Sequence, residues 1–239
     1  PFSVLALEDA PERHRLRSEK YARETFSVKS LKKFKRPSQM SKRLRIGYFS
    51  ADFHDHATMY LMAQIFAAHD KTQYEIFAYS YGSISHSTMR NRLINEVDIF
   101  HDISQFNDTH IVELVLREKL DVAIDLKGYT KDSRTNLFSS RLAPVQINYL
   151  GYPGTLGADF MDYIVADPIV IPEDKRQHYS EQIMYLPHTY QPNDNTRTIS
   201  QKIQTREDMG LPRDGFVFCC FNNNYKISPK EFDIWMRLM

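Results

Sequence analysis

The sequence has little cysteine, almost no net charge and no long hydrophobic run. Its two cysteines, Cys219 and Cys220, are neighbours. Adjacent side chains on a strand point to opposite faces, so we expect no disulfide between them and a reducing, cytoplasmic location. The formal net charge of +1 creates no field that would recruit nucleic acid or an anionic membrane. No apolar stretch approaches the roughly 20 residues that cross a bilayer. We therefore predict neither nucleic acid nor a membrane as a partner.

Several short chemical signatures are also missing. The nine histidines are scattered and include no HExxH pattern, and the cysteines lack zinc spacing, so no metal site is predicted. No strand is followed by a Walker loop or a GxGxxG fingerprint, which disfavours a dinucleotide-binding oxidoreductase. There is no nucleophile-elbow pattern of a serine hydrolase. We therefore expect no cofactor.

Residues 43–200 alternate short apolar segments with segments of helical period. This alternation predicts an α/β fold, a Rossmann-like doubly wound parallel sheet joined by right-handed crossovers. The segment 121–126 is apolar throughout its middle, as in a strand covered on both faces. Ligands of such sheets collect at the carboxyl ends of the strands, so the residues directly after each strand carry the functional information.

The two ends of the sequence differ from this middle part. Residues 1–42 combine a charged segment, predicted helical over 10–24, with a basic run over 29–42. We interpret them as a connector, either solvated or in contact with an upstream domain or an acidic partner. Residues 201–239 carry an apolar segment at 215–221, a polar loop and a helix opened by Ser228 and Pro229, which predicts the start of a second Rossmann-like domain. We interpret the chain as a fragment that does not catalyse alone.

The first strand leads into the segment Ser50–Thr58, which contains two histidines. His54 and His56 are the groups here with an ordinary pKa near neutrality, which suits proton transfer or hydrogen bonding to a substrate. The alternative is that Asp55 or Thr58 only caps the following helix and both histidines are exposed.

Three further loops follow predicted strands. In the loop after the fourth strand, Gly128 permits a tight turn, and Tyr129 and Lys131 can reach a ligand. The next strand ends in Leu150-Gly151-Tyr152-Pro153-Gly154-Thr155-Leu156-Gly157, where a ligand can approach the main chain. Lys226 precedes a helix amino terminus. A cation beside the free backbone N–H groups of a helix start can bind a phosphate.

Together these strings resemble the catalytic region of the O-linked N-acetylglucosamine transferases, including the SPINDLY-type and bacterial relatives of glycosyltransferase family 41. The motifs that carry the resemblance are RIGYFSADFHDHAT (45–58), DLKGYTKDSR (125–134), RLAPVQINYLGYPGTLGADFMDYIVAD (141–167), YSEQIMYLPHTY (179–190) and FNNNYKISP (221–229). They follow the family's order and cover about residues 43–239.

The resemblance implies a GT-B enzyme with two facing Rossmann-like domains, of which 43–200 is the amino-terminal one and 201–239 begins the UDP-binding one. It implies metal-independent transfer of N-acetylglucosamine from UDP-GlcNAc to a Ser or Thr hydroxyl of a protein, with inversion. It also implies upstream TPR repeats, joined through residues 1–42. An interdomain cleft is a favoured ligand site on physical grounds as well.

The resemblance assigns roles to individual positions. His56 matches the active-site histidine, as base or as positioning group, and Asp52 matches an aspartate considered in proton transfer. Lys226 matches the lysine that stabilises the departing diphosphate in place of a metal. The other matched positions bind the donor (Leu150, Gly151, Thr58, Asn223) or lie at the acceptor side of the cleft (Tyr129, Lys131, Pro153, Thr155).

Some positions depart from the animal enzymes and point to a bacterial-type member. Asp125 and Lys127 stand where the animal enzymes have asparagines, and Asn223 stands where they have a glutamine. Two alternatives stay open. One is a related glucosyltransferase that moves glucose from UDP-glucose to asparagine, and the other is a non-catalytic Rossmann-like binding module.

Overall fold

The computed structural model describes residues 1–26, 42–83 and 86–239. Most of the basic run predicted at 29–42 lies outside these residues. The described part contains a sheet of seven parallel strands in the order β3-β2-β1-β4-β5-β6-β7. This confirms the predicted Rossmann-like fold.

The strands are short and the helices alternate with them over most of the sheet. The strands are β1 (Leu44–Ser50), β2 (Tyr74–Ser80), β3 (Ile99–Asp102), β4 (Val122–Asp125), β5 (Val145–Asn148), β6 (Tyr163–Ala166) and β7 (Gln182–Tyr185). The α-helices are α1 (Pro11–Thr25), α2 (Ala57–Ala68), α3 (Thr88–Glu96), α4 (Asp108–Glu118) and α5 (Pro229–Leu238). Short 3-10 helices span Phe2–Val4, Thr135–Ser140, Glu173–His178 and Asn224–Lys226.

Each face of the sheet carries its own hydrophobic core. On one face Phe49 and Tyr79 stack with ring centroids 4.4 Å apart, and Val115 of α4 packs into the same cluster. On the other face Tyr48 meets Phe66 of α2 edge to face at 5.1 Å. Consecutive strand residues point to opposite faces, so Phe49 and Tyr48 of β1 contribute to opposite cores.

The strand order reverses between β1 and β4. From β1 the chain moves outward to β2 and β3, then returns to the other side of β1 with β4 and continues to β7. The crossovers leave the sheet on opposite sides of this point, so a crevice opens between the loops that follow β1 and β4. The loop after β5 lies next to them because β4 pairs with β5.

Helix α1, part of the predicted connector, packs against this domain. Pro11 is at its first turn, as predicted, and Ser18 and Ala22 are buried. Gly157 has a φ of +62°, and a Cβ there would lie 2.4 Å from the Glu19 backbone nitrogen. Helix α1 therefore packs against the loop that follows β5. The connecting role of residues 1–42 stays a prediction.

The strand predicted at 215–221 is not formed, and that prediction is wrong. Phe216 and Phe221 are 83% and 97% exposed, and no described residue pairs with this segment as a strand. An isolated strand leaves its backbone groups without partners, so it does not persist. The helix after it forms as predicted: α5 begins at Pro229, with Ser228 and Glu231 in a capping box. Within the described residues no helix is long and apolar enough to cross a membrane.

Candidate active site

The crevice at the strand reversal is bridged by a buried ion pair. Asp52 follows β1 and Lys127 follows β4, and their Oδ2 and Nζ atoms are 2.7 Å apart. The two residues are only 8% and 5% exposed. A buried charge needs a partner, so each holds the other in place across the reversal point.

The same carboxylate oxygen gathers two further groups. The Thr58 hydroxyl donates to Asp52 Oδ2 at 3.3 Å, and His56 Nδ1 lies 3.5 Å from that oxygen. Thr58 is buried, whereas the His56 side chain is 43% exposed. The buried Asp52 carboxylate therefore lies next to a partly exposed imidazole, which is accessible to a ligand.

His56 itself caps helix α2. The Thr58 backbone N–H donates to His56 Nδ1 at 3.2 Å. Because a backbone N–H can only donate, Nδ1 carries the lone pair and the ring proton is on Nε2. The alternative cap by Asp55 or Thr58 is wrong, because His56 is the cap and Asp55 accepts from the Met89 N–H at the start of α3. Of the two histidines that this alternative expected to be exposed, His56 is exposed and His54 is half-buried.

The electrostatic surroundings keep His56 neutral. Partial burial lowers its pKa, Asp52 raises it, and Lys127 and His54 lower it again. The net result is an imidazole pKa below its ordinary value, so the ring is uncharged at neutral pH. It then presents an Nε2–H donor to the crevice.

A second buried carboxylate fixes the loop that carries Lys127. Asp125 Oδ1 accepts the Lys127 backbone N–H at 2.8 Å, and Oδ2 accepts the Thr135 hydroxyl at 2.7 Å. Thr135 also approaches the Gly128 carbonyl at 2.9 Å. Complete burial raises the Asp125 pKa. The backbone conformation at Lys127 is thus fixed by hydrogen bonds that do not involve the Lys127 side chain.

The predicted acceptor-side residues of this loop have different environments. Tyr129 is half-buried, and its hydroxyl donates to the Leu156 carbonyl at 2.5 Å. Its ring lies 5.0 Å from that of Tyr21 and 5.3 Å from that of Tyr152, and burial raises its pKa. Lys131 is exposed. Tyr129 therefore ties two loops together, while Lys131 remains accessible.

The loop after β5 begins with a strained turn. Leu150 has a φ of +69°, and the Gly151 N–H donates to the Tyr149 carbonyl at 2.9 Å. A Cβ at Gly151 would lie 2.0 Å from the Leu126 carbonyl oxygen, so only glycine fits beside the β4 loop. Such turns persist only where the surroundings hold them, and they concentrate at ligand sites. Both residues were predicted to bind the donor.

Further along this loop, Pro153 is exposed and Thr155 is buried. The Thr155 hydroxyl donates to Glu181 Oε2 at 2.5 Å, and the Leu156 N–H donates to Glu181 Oε1 at 2.7 Å. Burial raises the Glu181 pKa. In this structure the Thr155 hydroxyl is thus used inside the protein, and its predicted place at the cleft stays a prediction.

Lys226 and Asn223 are not brought to this site. Both are exposed: Asn223 caps the short 3-10 helix Asn224–Lys226, and Lys226 is its last residue. Across the described ranges, no hydrogen bond or ion pair joins residues 201–239 to the loops after β1, β4 and β5. Their roles stay predictions.

Two residues at the site have no predicted role in the sequence. Lys127 was noted only as a departure from an asparagine, and Glu181 only as part of a motif. For Lys127 the available signal was an ionisable residue just after a strand whose pattern shows it to be covered on both faces, whereas Glu181 precedes the edge strand β7 and had no such signal. In the part of the chain that the structure describes, no group of three or more His, Cys, Asp or Glu is placed to hold a metal ion.

Known proteins resemble most of the chain. The family model described as glycosyl transferase family 41 matches residues 23–202 and 194–239. A probable UDP-N-acetylglucosamine–peptide N-acetylglucosaminyltransferase, SEC of Arabidopsis thaliana, is 36% identical over 203 residues, which is 83% of this chain and 21% of the relative. The Caenorhabditis elegans UDP-N-acetylglucosamine–peptide N-acetylglucosaminyltransferase is 34% identical over 195 residues, 80% of this chain and 17% of the relative.

The fold has a matching solved structure. A mutant of the Thermobaculum terrenum O-GlcNAc transferase superposes with a TM-score of 0.82 and 28% sequence identity, covering 96% of this chain and 43% of that one. The chain thus spans about a fifth of the length of the curated relatives that it matches.

Proposed function

The chain belongs to glycosyl transferase family 41, and we propose that it forms part of an inverting enzyme that transfers N-acetylglucosamine from UDP-GlcNAc to Ser or Thr hydroxyls of proteins. The relatives that it matches are named as UDP-N-acetylglucosamine–peptide N-acetylglucosaminyltransferases or as an O-GlcNAc transferase. The observation that carries the proposal is the Asp52–Lys127 pair with His56 above it, at the reversal of a Rossmann-like sheet.

At the sugar C1 the reaction forms one bond and breaks one. The acceptor hydroxyl oxygen bonds to the sugar C1 while the bond from C1 to the diphosphate oxygen breaks, and UDP leaves with the electron pair. The hydroxyl proton passes to solvent or to a base. Because attack and departure are on opposite faces, the configuration at C1 inverts.

In this proposal His56 positions substrate and is not the base. Its Nδ1 lone pair is used in capping α2, so the group free to reach a substrate is the Nε2–H. A hydrogen-bond donor at this place can orient a sugar or phosphate oxygen. Asp52 Oδ2 lies 3.5 Å from His56 Nδ1 and accepts its hydrogen bonds from Lys127 and Thr58 instead.

The remaining predicted residues complete the proposed site. The backbone at Leu150 and Gly151 holds the sugar ring, with Thr58 and Asn223 also on the donor side. Tyr129, Lys131, Pro153 and Thr155 line the acceptor side. Lys226 balances the charge of departing UDP, so no metal or other cofactor is required. We also propose a cytoplasmic enzyme with TPR repeats that present the acceptor protein.

The test is sugar transfer by the full-length protein. Radiolabelled UDP-GlcNAc and UDP-glucose are each offered with peptide pools that contain Ser and Thr or, separately, Asn as the only nucleophilic residue. Mass spectrometry identifies the modified side chain. We expect N-acetylglucosamine on Ser or Thr, and a large loss of transfer in a His56→Ala variant.

The other outcomes are informative. Glucose on asparagine would replace the proposed function with the glucosyltransferase alternative. No transfer from either donor, with the donors still bound, would favour a binding module. If His56→Ala abolished turnover with unchanged donor and acceptor affinities, the positioning role of His56 would be wrong.

A further inference from the structure

We infer that Lys127 is a positioning residue that fixes the charge state of the Asp52–His56 pair. This inference rests on the proposed function only for its kinetic consequences. Its basis is geometric: a buried ammonium 2.7 Å from the one carboxylate oxygen that also faces the imidazole.

The first step is that Lys127 satisfies Asp52. Asp52 Oδ2 accepts from the lysine ammonium and from the Thr58 hydroxyl. These two donors compensate the buried carboxylate without a proton on His56 Nδ1. His56 can therefore keep its Nδ1 lone pair for the α2 cap.

The second step is what happens without the lysine. Asp52 would then be a buried carboxylate with no cation beside it, and the nearest group that could become one is His56, with Nδ1 3.5 Å away. A proton on Nδ1 would compensate that charge, but it would remove the cap that the Thr58 N–H needs. His56 would change from a neutral Nε2–H donor to a cation.

The other charges around the imidazole do not replace Lys127. His54, whose ring centroid is 5.6 Å from that of His56, lowers the His56 pKa less than Lys127 does. Asp125, behind Lys127, is already bonded to the Lys127 N–H and to Thr135. Among the groups that act on His56, Lys127 is thus the fixed cation.

The loop that carries Lys127 is fixed independently of the ammonium. Asp125 and Thr135 hold the backbone around Lys127, and the Thr130 N–H and hydroxyl both bond to the Lys127 carbonyl, at 3.3 and 2.9 Å. A substitution that removes only the charge should therefore leave the loop in place.

The experiment measures protonation of His56 directly in the full-length protein. The rate of carbethoxylation by diethyl pyrocarbonate follows the neutral imidazole. Tandem mass spectrometry assigns the adduct to His56 and separates it from adducts on His54 and His69, which lie on the same tryptic peptide. The variants are Lys127→Met, Lys127→Arg and the double variant Asp52→Asn with Lys127→Met. The exposed His188 is the internal reference.

In Lys127→Met we expect the midpoint of His56 modification to move up by about one pH unit. Lys127→Arg, which keeps the charge, should retain the original midpoint, and the double variant, which removes both charges, should return close to it. The acid limb of the kcat profile should move in the same direction in Lys127→Met, with donor KM changing less than kcat.

An unchanged midpoint in Lys127→Met would overturn the inference, as would equal midpoints in Lys127→Met and the double variant. The double variant also guards against misfolding, because it leaves no unpaired buried charge. The chemical titration needs no turnover. A protein that transfers no sugar but shows the shift contradicts only the proposed function, and one that transfers sugar without the shift contradicts only this inference.

Discussion

The loops at the strand reversal and the segment 201–239 have similar sequence signals and different structures. Both contain an apolar segment followed by polar residues and a helix start. The first apolar segment is β1, paired on both sides, and the residue after its end, Ala51, leads into a buried aspartate. The second, 215–221, forms no strand, and Phe216 and Phe221 are exposed.

The difference shows that an apolar segment with a strand-like pattern forms a strand only where neighbouring strands can pair with it. Phe53 is 1% exposed because α2 and the sheet cover it, whereas Phe221, of the same residue type, is 97% exposed. Polar groups follow the same rule: Asp52 has a cation and a hydroxyl on one oxygen, and Lys226 is solvated. Three pairs of substitutions sharpen this comparison.

The largest effect on stability is expected from Phe53→Ala. Removing a buried phenylalanine that packs against Phe66 leaves a cavity and should lower the free energy of unfolding by about 3–5 kcal/mol. Phe221→Ala should change it by less than about 0.5 kcal/mol. Denaturant unfolding of the full-length protein measures both. Equal losses would mean that the 215–221 segment is packed as tightly as the β1 loop.

Lys226→Ala should affect turnover and leave stability unchanged. The side chain is exposed, so folding does not depend on it. If it balances the charge of departing UDP, its loss should reduce kcat by on the order of 10²–10³. Lys230→Ala, which removes another exposed lysine at the start of α5, is the matched control and should have wild-type kcat. A wild-type kcat in Lys226→Ala would remove this residue from the site.

The smallest expected effect comes from two aspartates that both bond to a nearby threonine. Asp194 also pairs with Arg92 of α3 at 2.5 Å and is buried, whereas Asp208 bonds only to Thr205 and is exposed. Asp194→Asn should cost about 1–3 kcal/mol. Asp208→Asn should cost less than about 0.5 kcal/mol. Thermal or denaturant unfolding separates them.

The effect at Asp194 should depend on pH. Its bonds to the Thr196 hydroxyl and then to Arg92 lower its pKa from 3.8 to about 2. A depressed carboxyl pKa stabilises the fold above the unfolded value, and that contribution is lost as pH falls through the folded value. The stability difference between wild type and Asp194→Asn should thus be constant from neutral pH to about 4 and shrink below 3.8. A difference that grows on acidification would contradict the assignment.

Much of the fold could be predicted because its signals are local. The alternation of apolar and helical segments specified the strands from β1 to β7 to within a few residues, and Pro11 and Ser228 marked helix starts. The site residues Asp52 and His56 could be named because they directly follow the first strand. Lys127 could not be assigned, because its role depends on β4 lying next to β1, 75 residues away in sequence.

The sequence by itself determined which segments prefer strand or helix, and which polar residues follow each strand. Local backbone preference and apolar period act over a few residues, so they can be read along the chain. Only the tertiary structure decided that Asp52, Lys127 and His56 share one carboxylate oxygen, that His56 caps α2 through Nδ1, and that 215–221 has no strand partner. Those outcomes depend on strand order and burial, which bring together residues that no local pattern relates.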